Sequence, residues 1–244
     1  MTDLHTHILP GIDDGSPDPQ TSLQMLRMER EQGVDVVALT PHFYPERETP
    51  EQFLLRRARA LHRLQDAISQ LSAEQQRDLP RIALGAEVAW VPWLTELRGI
   101  SRLCYQGSDH LLLELPVGPW EPGLFRRLYE FMSCTGLTPV IAHIDRYLAL
   151  ETPRQLDALF SLGVPIQLSA SAFSGFRMRQ KALRLLRNGN AHLLISDCHG
   201  IEHRKPNLSL AYAAVKKALG EQACLQLSAN SDHWILPEAA DGSD

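Results

Sequence analysis

The chain is short of cysteine, of long apolar runs and of clustered positive charge. Its four cysteines, Cys104, Cys134, Cys198 and Cys224, form no C-x-x-C pair in 244 residues. That spacing excludes a disulfide framework and a cysteine-type structural zinc site, and it reads as reduced thiols in a cytoplasmic protein. No stretch approaches the roughly 20 apolar residues of a membrane span. The opening MTDLHTHILPG lacks the basic start and apolar stretch of a signal peptide. Net charge is -5, with acids and bases scattered. Without a basic stripe, non-specific binding to a nucleic-acid backbone is not expected. No lysine precedes Lys181. The polar tail PEAADGSD is expected to fray.

What is present is core-forming material in a regular rhythm. Hydrophobic residues make up 44% of the chain, enough for a sizeable core and for one domain over residues 1–244. Near-continuous apolar runs at 34–40, 81–88, 110–116, 138–144, 164–169 and 192–196 read as buried parallel strands, and MTDLHTH adds a seventh. Between them, 18–32, 51–76, 121–135, 153–162, 177–188 and 207–219 read as helices. Asp18 and Thr49, each just before a proline, are candidate N-caps. Glycines 33, 136, 163 and 189 stand where helices should stop. Repeated helix, glycine, strand joints predict βα units and an α/β fold.

The polar residues fall at one end of those strands. The first ends in His5 and His7, the second in His42, the third in Glu87 and the fourth in Glu114. The fifth ends in His143, with Arg146 just beyond, and the seventh in Asp197 and His199. In a parallel barrel all C-terminal strand ends meet at one face. Residues i and i+2 of a strand point to the same side, so His5 and His7 can share an ion, as can Asp197 and His199, with Cys198 turned away. Burying unpaired carboxylates costs several kcal/mol, so Glu87 and Glu114 ask for a charged partner. Imidazole and carboxylate donors without thiolate suit manganese, iron or zinc. With Asp14 added, the donors exceed what one ion needs, which predicts two or three ions. Clustered ions in an open pocket activate water and clamp phosphate oxygens.

The segments DLHTHILPGIDDG, TPHFYP, GAEV, LLLELP, AHIDRY and SDCHG, in that order over residues 3–200, resemble the polymerase and histidinol phosphatase (PHP) superfamily. Within it the chain is most similar to bacterial protein-tyrosine phosphatases of the capsule and exopolysaccharide type. The resemblance implies a distorted seven-stranded (β/α)7, TIM-like barrel holding three divalent metals, manganese foremost, with iron, zinc or magnesium as alternatives. By matched motif, His5, His7, Glu87 and Asp197 would hold one ion. Glu87 would bridge to a second, completed by Glu114 and His143, while Asp14, His42 and His199 would hold a third. Arg146 and Arg204 would meet the phosphate. The implied reaction is metal-activated hydroxide attack on a phosphotyrosine protein, such as the C-terminal tail of a bacterial tyrosine kinase governing polysaccharide export. Ile144-Asp145 stands where the family has Pro-Glu, and Cys198 where it has a small residue; neither is a ligand.

Other readings stand beside this one. Cys198 to Arg204 also fits C-x5-R, the loop of cysteine-dependent tyrosine phosphatases. Asp197 and Glu202 flank it, however, and such a thiolate needs electropositive neighbours. A small-molecule phosphatase, such as one for histidinol phosphate, would use the same donors. A metal-dependent amidohydrolase usually needs a bridging lysine, which the absence of lysine before Lys181 disfavours. A non-catalytic PHP binding module would have lost ligands. Trp90, Trp93, Phe43 and Tyr44 either pack in the core or wall a pocket for an aryl group. Arg146 has a plain alternative in a salt bridge with Asp145 or Glu151.

Overall fold

Parallel β-pairing carries the architecture. The computed structural model describes residues 1–234, so the tail PEAADGSD lies outside the described residues. In chain order the main elements are β1 (Thr2–Thr6), α1 (Pro19–Glu31), β2 (Val36–Leu39), β3 (His42–Phe43), α2 (Pro50–Ser69), α3 (Ala73–Arg77), β4 (Arg81–Leu84) and β5 (Glu87–Ala89). There follow β6 (His110–Glu114), α4 (Leu124–Thr135), β7 (Thr138–Ile141), α5 (Pro153–Phe160), β8 (Gln167–Ser169), α6 (Phe176–Arg187), β9 (Leu193–Ile195), α7 (Leu208–Leu219) and α8 (Glu221–Trp234). Sheets run β1-β2-β4, β3-β5-β6-β7 and β8-β9, and every pair is parallel. Parallel bridges Thr6–Cys198 and Ile141–Ile166 join them. No helix among the described residues is long and apolar enough to cross a membrane.

Helix starts follow the caps. Asp18 accepts a hydrogen bond from the Thr21 backbone N–H at 2.8 Å, and Thr49 forms a capping box with Gln52. Ser72 forms another with Gln75, and it ends the long helix expected over 51–76: α2 stops at Ser69 and α3 starts afresh. The expected strand at 81–88 is likewise interrupted at Gly85-Ala86. A Cβ on Gly85 would lie 3.0 Å from the Tyr105 ring and 3.1 Å from Thr40. The strand expected at 34–40 pauses at Thr40-Pro41 and resumes as β3; Pro41 has no N–H to give the ladder. Helix α8 was not expected, because its sequence has only a weak apolar stripe.

One buried cluster takes Leu4, Ala38, Ala83, Leu112, Val140, Leu193 and Ile195 from β1, β2, β4, β6, β7 and β9, with Tyr105 among them. The Tyr105 hydroxyl donates to the Leu4 carbonyl at 2.8 Å. A larger cluster fills the space between strands and helices. The strands are therefore apolar on both faces, as sheet covered on both sides must be. Their C-terminal ends are where ionisable residues begin.

Candidate metal centre

The strand ends deliver the expected side chains to one place. His5 and His7 come from β1 and the residue just beyond it, and their Nε2 atoms lie 3.2 Å apart. Glu87, at the start of β5, is 1% exposed and central. Its Oε1 is 2.9 Å from His143 Nε2. Its Oε2 is 2.8 Å from His42 Nδ1 and 3.3 Å from both His5 Nε2 and His7 Nε2. Glu114 Oε1 lies 3.5 Å from His143 Nε2. Asp197 Oδ1 sits 3.8 Å from the Nε2 atoms of both His5 and His7. Asp14, on an exposed loop, reaches His42 Nε2 at 3.3 Å and His199 Nε2 at 3.6 Å. His199 stacks on His7 with ring centroids 3.8 Å apart.

Hydrogen bonds fix which ring nitrogen faces inward. His5 Nδ1 pairs with Gln167 Oε1 at 2.9 Å, His7 Nδ1 with Asp13 Oδ2 at 2.8 Å, and His199 Nδ1 with the Asp197 carbonyl at 3.0 Å. Each acceptor engages Nδ1–H, so each Nε2 is directed to the centre, the usual outer support of a metal-ligating histidine. Neither Asp13 nor Gln167 was among the expected site residues. Asp13 also accepts from the backbone N–H groups of Gly15 and His42.

Electrostatics match an ion-binding cluster. Burial disfavours the charged form of Glu87, yet His5, His143 and His42 hold its carboxyl well below the usual range. Burial opposes ionisation of Asp13, but the His7 ring overrides it and holds Asp13 at about 2. Burial likewise works against the His7 cation, and the pairing with Asp13 and Glu87 still raises it to about 10. Burial, then the charge of His7, pushes His199 down to about 3. An incoming divalent ion would take the place of the proton on His7 Nε2.

The donors fit a metal on a direct structural sign. His42 Nδ1, Glu87 Oε2, His143 Nδ1 and His199 Nε2 are buried without a hydrogen-bond partner, although His42 Nδ1 and Glu87 Oε2 are only 2.8 Å apart. Orphaned buried polar atoms are rare unless something else satisfies them. Three groups could each hold an ion: His7, Asp14, His42 and His199; His5, His7 and Glu87; and His42, Glu87 and Glu114. His143 (φ +28) and Asp197 (φ +54) both sit in left-handed backbone, which costs on the order of 1–3 kcal/mol each for residues other than glycine.

Both candidate arginines reach this centre through Asp197. Arg146 Nη2 pairs with Asp197 Oδ2, and its Nη1 lies 3.5 Å from Glu114 Oε1. Arg204 Nη2 donates to both Asp197 oxygens at 2.8 Å. Among the described residues the carboxylates at salt-bridge distance from Arg146 are thus those of Glu114 and Asp197. Of the four aromatic candidates, Phe43 is fully buried and Trp90 is 7% exposed. Tyr44 instead lines the cavity of about 670 Å³ beside Asp14 and His42, with Ile12, Arg47 and Arg56.

The loop carrying Asp13 and Asp14 closes back on His7. Gly15 explains how: a Cβ there would lie 2.1 Å from the His7 carbonyl oxygen and 2.5 Å from its Cβ. The Ser16 N–H donates to that same carbonyl at 2.9 Å. Gly15→Ala is expected to lower stability by roughly 1–3 kcal/mol and to reduce bound metal by shifting His7. Thermal melts with elemental analysis check this; wild-type metal content and melting would contradict it.

Fold and donor set together define an α/β protein with a candidate divalent-metal centre at the C-terminal ends of parallel strands. The family model described as capsular polysaccharide synthesis, CpsB/CapC, matches residues 1–237, and the chain belongs to that family. It is 28% identical over 255 residues to the tyrosine-protein phosphatase CpsB of Streptococcus pneumoniae, covering 97% of this chain and 98% of that protein. It is 26% identical over 248 residues to the tyrosine-protein phosphatase YwqE of Bacillus subtilis, covering 95% and 90%. One chain from the crystal structures of YwqE from B. subtilis and CpsB from S. pneumoniae, described as metal-dependent tyrosine phosphatases, matches with a TM-score of 0.80 at 23% identity over 96% of this chain and 94% of that one.

Proposed function

We propose that this protein is a metal-dependent protein-tyrosine phosphatase. The observation that carries the reading is the pair of Nε2 atoms of His5 and His7 set 3.3 Å from the buried Glu87, each aimed by an acceptor on Nδ1, with His42 and His143 completing the ring around that carboxylate. Family membership and the names of the relatives support it. His5, His7, Asp14, His42, Glu87, Glu114, His143, Asp197 and His199 would hold two or three ions, with manganese preferred because magnesium disfavours imidazole. Bound there, divalent ions supply a water nucleophile at neutral pH and Lewis acidity toward phosphoryl oxygens.

The chain's own groups do the rest. Asp13, Gln167 and the Asp197 carbonyl hold the imidazoles in one tautomer and orientation. Arg146 and Arg204 present guanidinium N–H groups beside the carboxylates, where a forked donor matches phosphate oxygens and takes up charge on them. A tyrosine leaving group has a pKa of about 10, so it needs little help from a general acid.

The substrate we infer is a phosphotyrosine protein, with the tail of a bacterial tyrosine kinase as the candidate that the resemblance names, in the cytoplasm. Nucleic acid is not a partner in this reading, given the net charge of -5. The pairings also support a closed ring. Taking β2 with β3 and β4 with β5 as two interrupted strands, the order β1, β2, β4, β6, β7, β8, β9 returns to β1 through the Thr6–Cys198 bridge. On this reading the strands make a distorted barrel of seven in one domain.

Chelation should abolish hydrolysis of a phosphotyrosine peptide, and manganese should restore it at least as well as magnesium. Full activity after confirmed metal loss overturns the reading. Faster turnover of histidinol phosphate than of the peptide would instead indicate a small-molecule phosphatase.

A further inference from the structure

The cavity beside the candidate metal centre does not stop at Tyr44. It shares Arg47, Glu48 and Arg56 with a second cavity of about 430 Å³ lined also by Gln52, Leu55 and Arg59. Gln52, Leu55, Arg56 and Arg59 follow the i, i+3, i+4, i+7 spacing of one helical face. On α2 they make a stripe roughly 10 Å long, which three or four residues of extended peptide would span.

Charge divides along this groove. Its inner end carries Asp13 and Asp14 next to the histidines, and its outer end carries Arg47, Arg56 and Arg59. The one outer acid, Glu48, is taken by Arg56: Nε lies 3.3 Å from Oε2, Nη2 pairs with Oε1, and Nη1 donates to the Ile12 carbonyl. Arg56 is therefore committed to holding the wall. Arg47 and Arg59 are exposed, and among the described residues neither has a carboxylate at salt-bridge distance. Arg47 is nonetheless held in place, its guanidinium 4.5 Å over the Tyr44 ring. Tyr44 itself stacks on His42, with centroids 5.5 Å apart. A line of contacts thus runs from a candidate ligand through an aromatic face to an unneutralised guanidinium. Leu55, 63% exposed, offers an apolar patch between the charges.

We propose that this groove is a substrate-reading surface, in which Arg47 and Arg59 bind a carboxylate side chain a few residues from the phosphotyrosine of an acidic peptide. The proposal rests on the phosphatase reading for which residue enters the centre, but its recognition chemistry is separate. Forked guanidinium donors pair with carboxylates, and charges at the rim of a site select partners by sign.

The test uses two peptides that carry a non-hydrolysable difluoromethyl phosphonate in place of the phosphotyrosine ester. One is flanked by glutamates, the other by alanines. Binding to metal-loaded protein is followed by fluorescence anisotropy for the wild type, for Arg47→Glu/Arg59→Glu and for Arg47→Lys/Arg59→Lys. The wild type is expected to bind the glutamate peptide about tenfold more tightly. The charge-reversed variant should bring that ratio to one or below, and the lysine variant should keep most of it. Equal binding of the two peptides by the wild type overturns the proposal, as does an unchanged ratio in the charge-reversed variant. Hydrolysis of 4-nitrophenyl phosphate by the wild type is measured in parallel. Its absence would count against the phosphatase reading while leaving the binding ratio to judge the groove.

Discussion

Glu87→Gln is expected to strip the protein of most of its metal and to lower kcat on an aryl phosphate by at least about 10³-fold, a barrier rise near 4 kcal/mol. The side chain is almost wholly buried, and its two oxygens lie within 3.3 Å of ring nitrogens of His5, His7, His42 and His143. It belongs to two of the three candidate ion groups. Glutamine keeps the shape but replaces one oxygen by an N–H donor, which cannot ligate a cation, and removes the negative charge that makes the cluster attractive to one. Asp14→Asn is the comparison. Asp14 is 65% exposed, pairs with His42 and His199, and belongs to one of the three candidate ion groups, so its loss should cost less metal. Elemental analysis of the two purified variants, with folding checked by circular dichroism, decides the matter. Equal metal content in both would remove Glu87 from its central position.

Apart from Asp14, which lies on a loop, the candidate histidines and carboxylates were legible because each ends an apolar run. An ionisable residue directly after a buried strand is a local signal, and parallel strands bring such ends together whatever the details of their packing. The helix starts at Asp18 and Thr49 were legible for a similar reason, since a cap is a matter of four neighbouring residues. Asp13 was not. It is adjacent to Asp14, and only the closure of the loop at Gly15 against His7 decides that Asp13 turns inward to the ring while Asp14 stays at the mouth. Gln167 was hidden differently: it is neutral, and its partner His5 lies 162 positions away. The break between α2 and α3 was hidden because the apolar spacing runs on to Leu71, past the last residue of α2, while the Ser72 capping box starts a new helix. Alternation along the last strand was an incomplete reason for the geometry around Cys198. The regular strand ends at Ile195, and Asp197 takes φ +54; the bridge from Thr6 to Cys198 keeps the backbone in register there.

That backbone also sets the metal reading against the cysteine-loop reading. Cys198→Ser should leave kcat within about threefold, some 0.7 kcal/mol, whereas His199→Ala should cost about 10²-fold, near ~2.7 kcal/mol. The Cys198 thiol is fully buried and lies 3.5 Å from Glu29 Oε1. Burial, then the nearby Glu29 and Asp3 carboxylates, push it well above the ordinary thiol range, the opposite of what a nucleophilic thiolate requires. The loop after it is not an open nest of N–H groups either, because the His199 N–H is spent on the Arg204 carbonyl at 2.8 Å. Arg204 itself reaches across to Asp197. His199 faces the other way, stacked on His7 and with Nε2 toward Asp14. A serine at 198 can still donate to Glu29, so the fold should survive it. Alanine at 199 removes a donor from the group of His7, Asp14 and His42 and leaves the Asp197 carbonyl without its partner. The measurement is kcat on one aryl phosphate at saturating manganese, with metal content and folding checked for both variants. A cysteine-loop enzyme would invert the order, so a folded, metal-loaded Cys198→Ser protein without activity would overturn the metal mechanism.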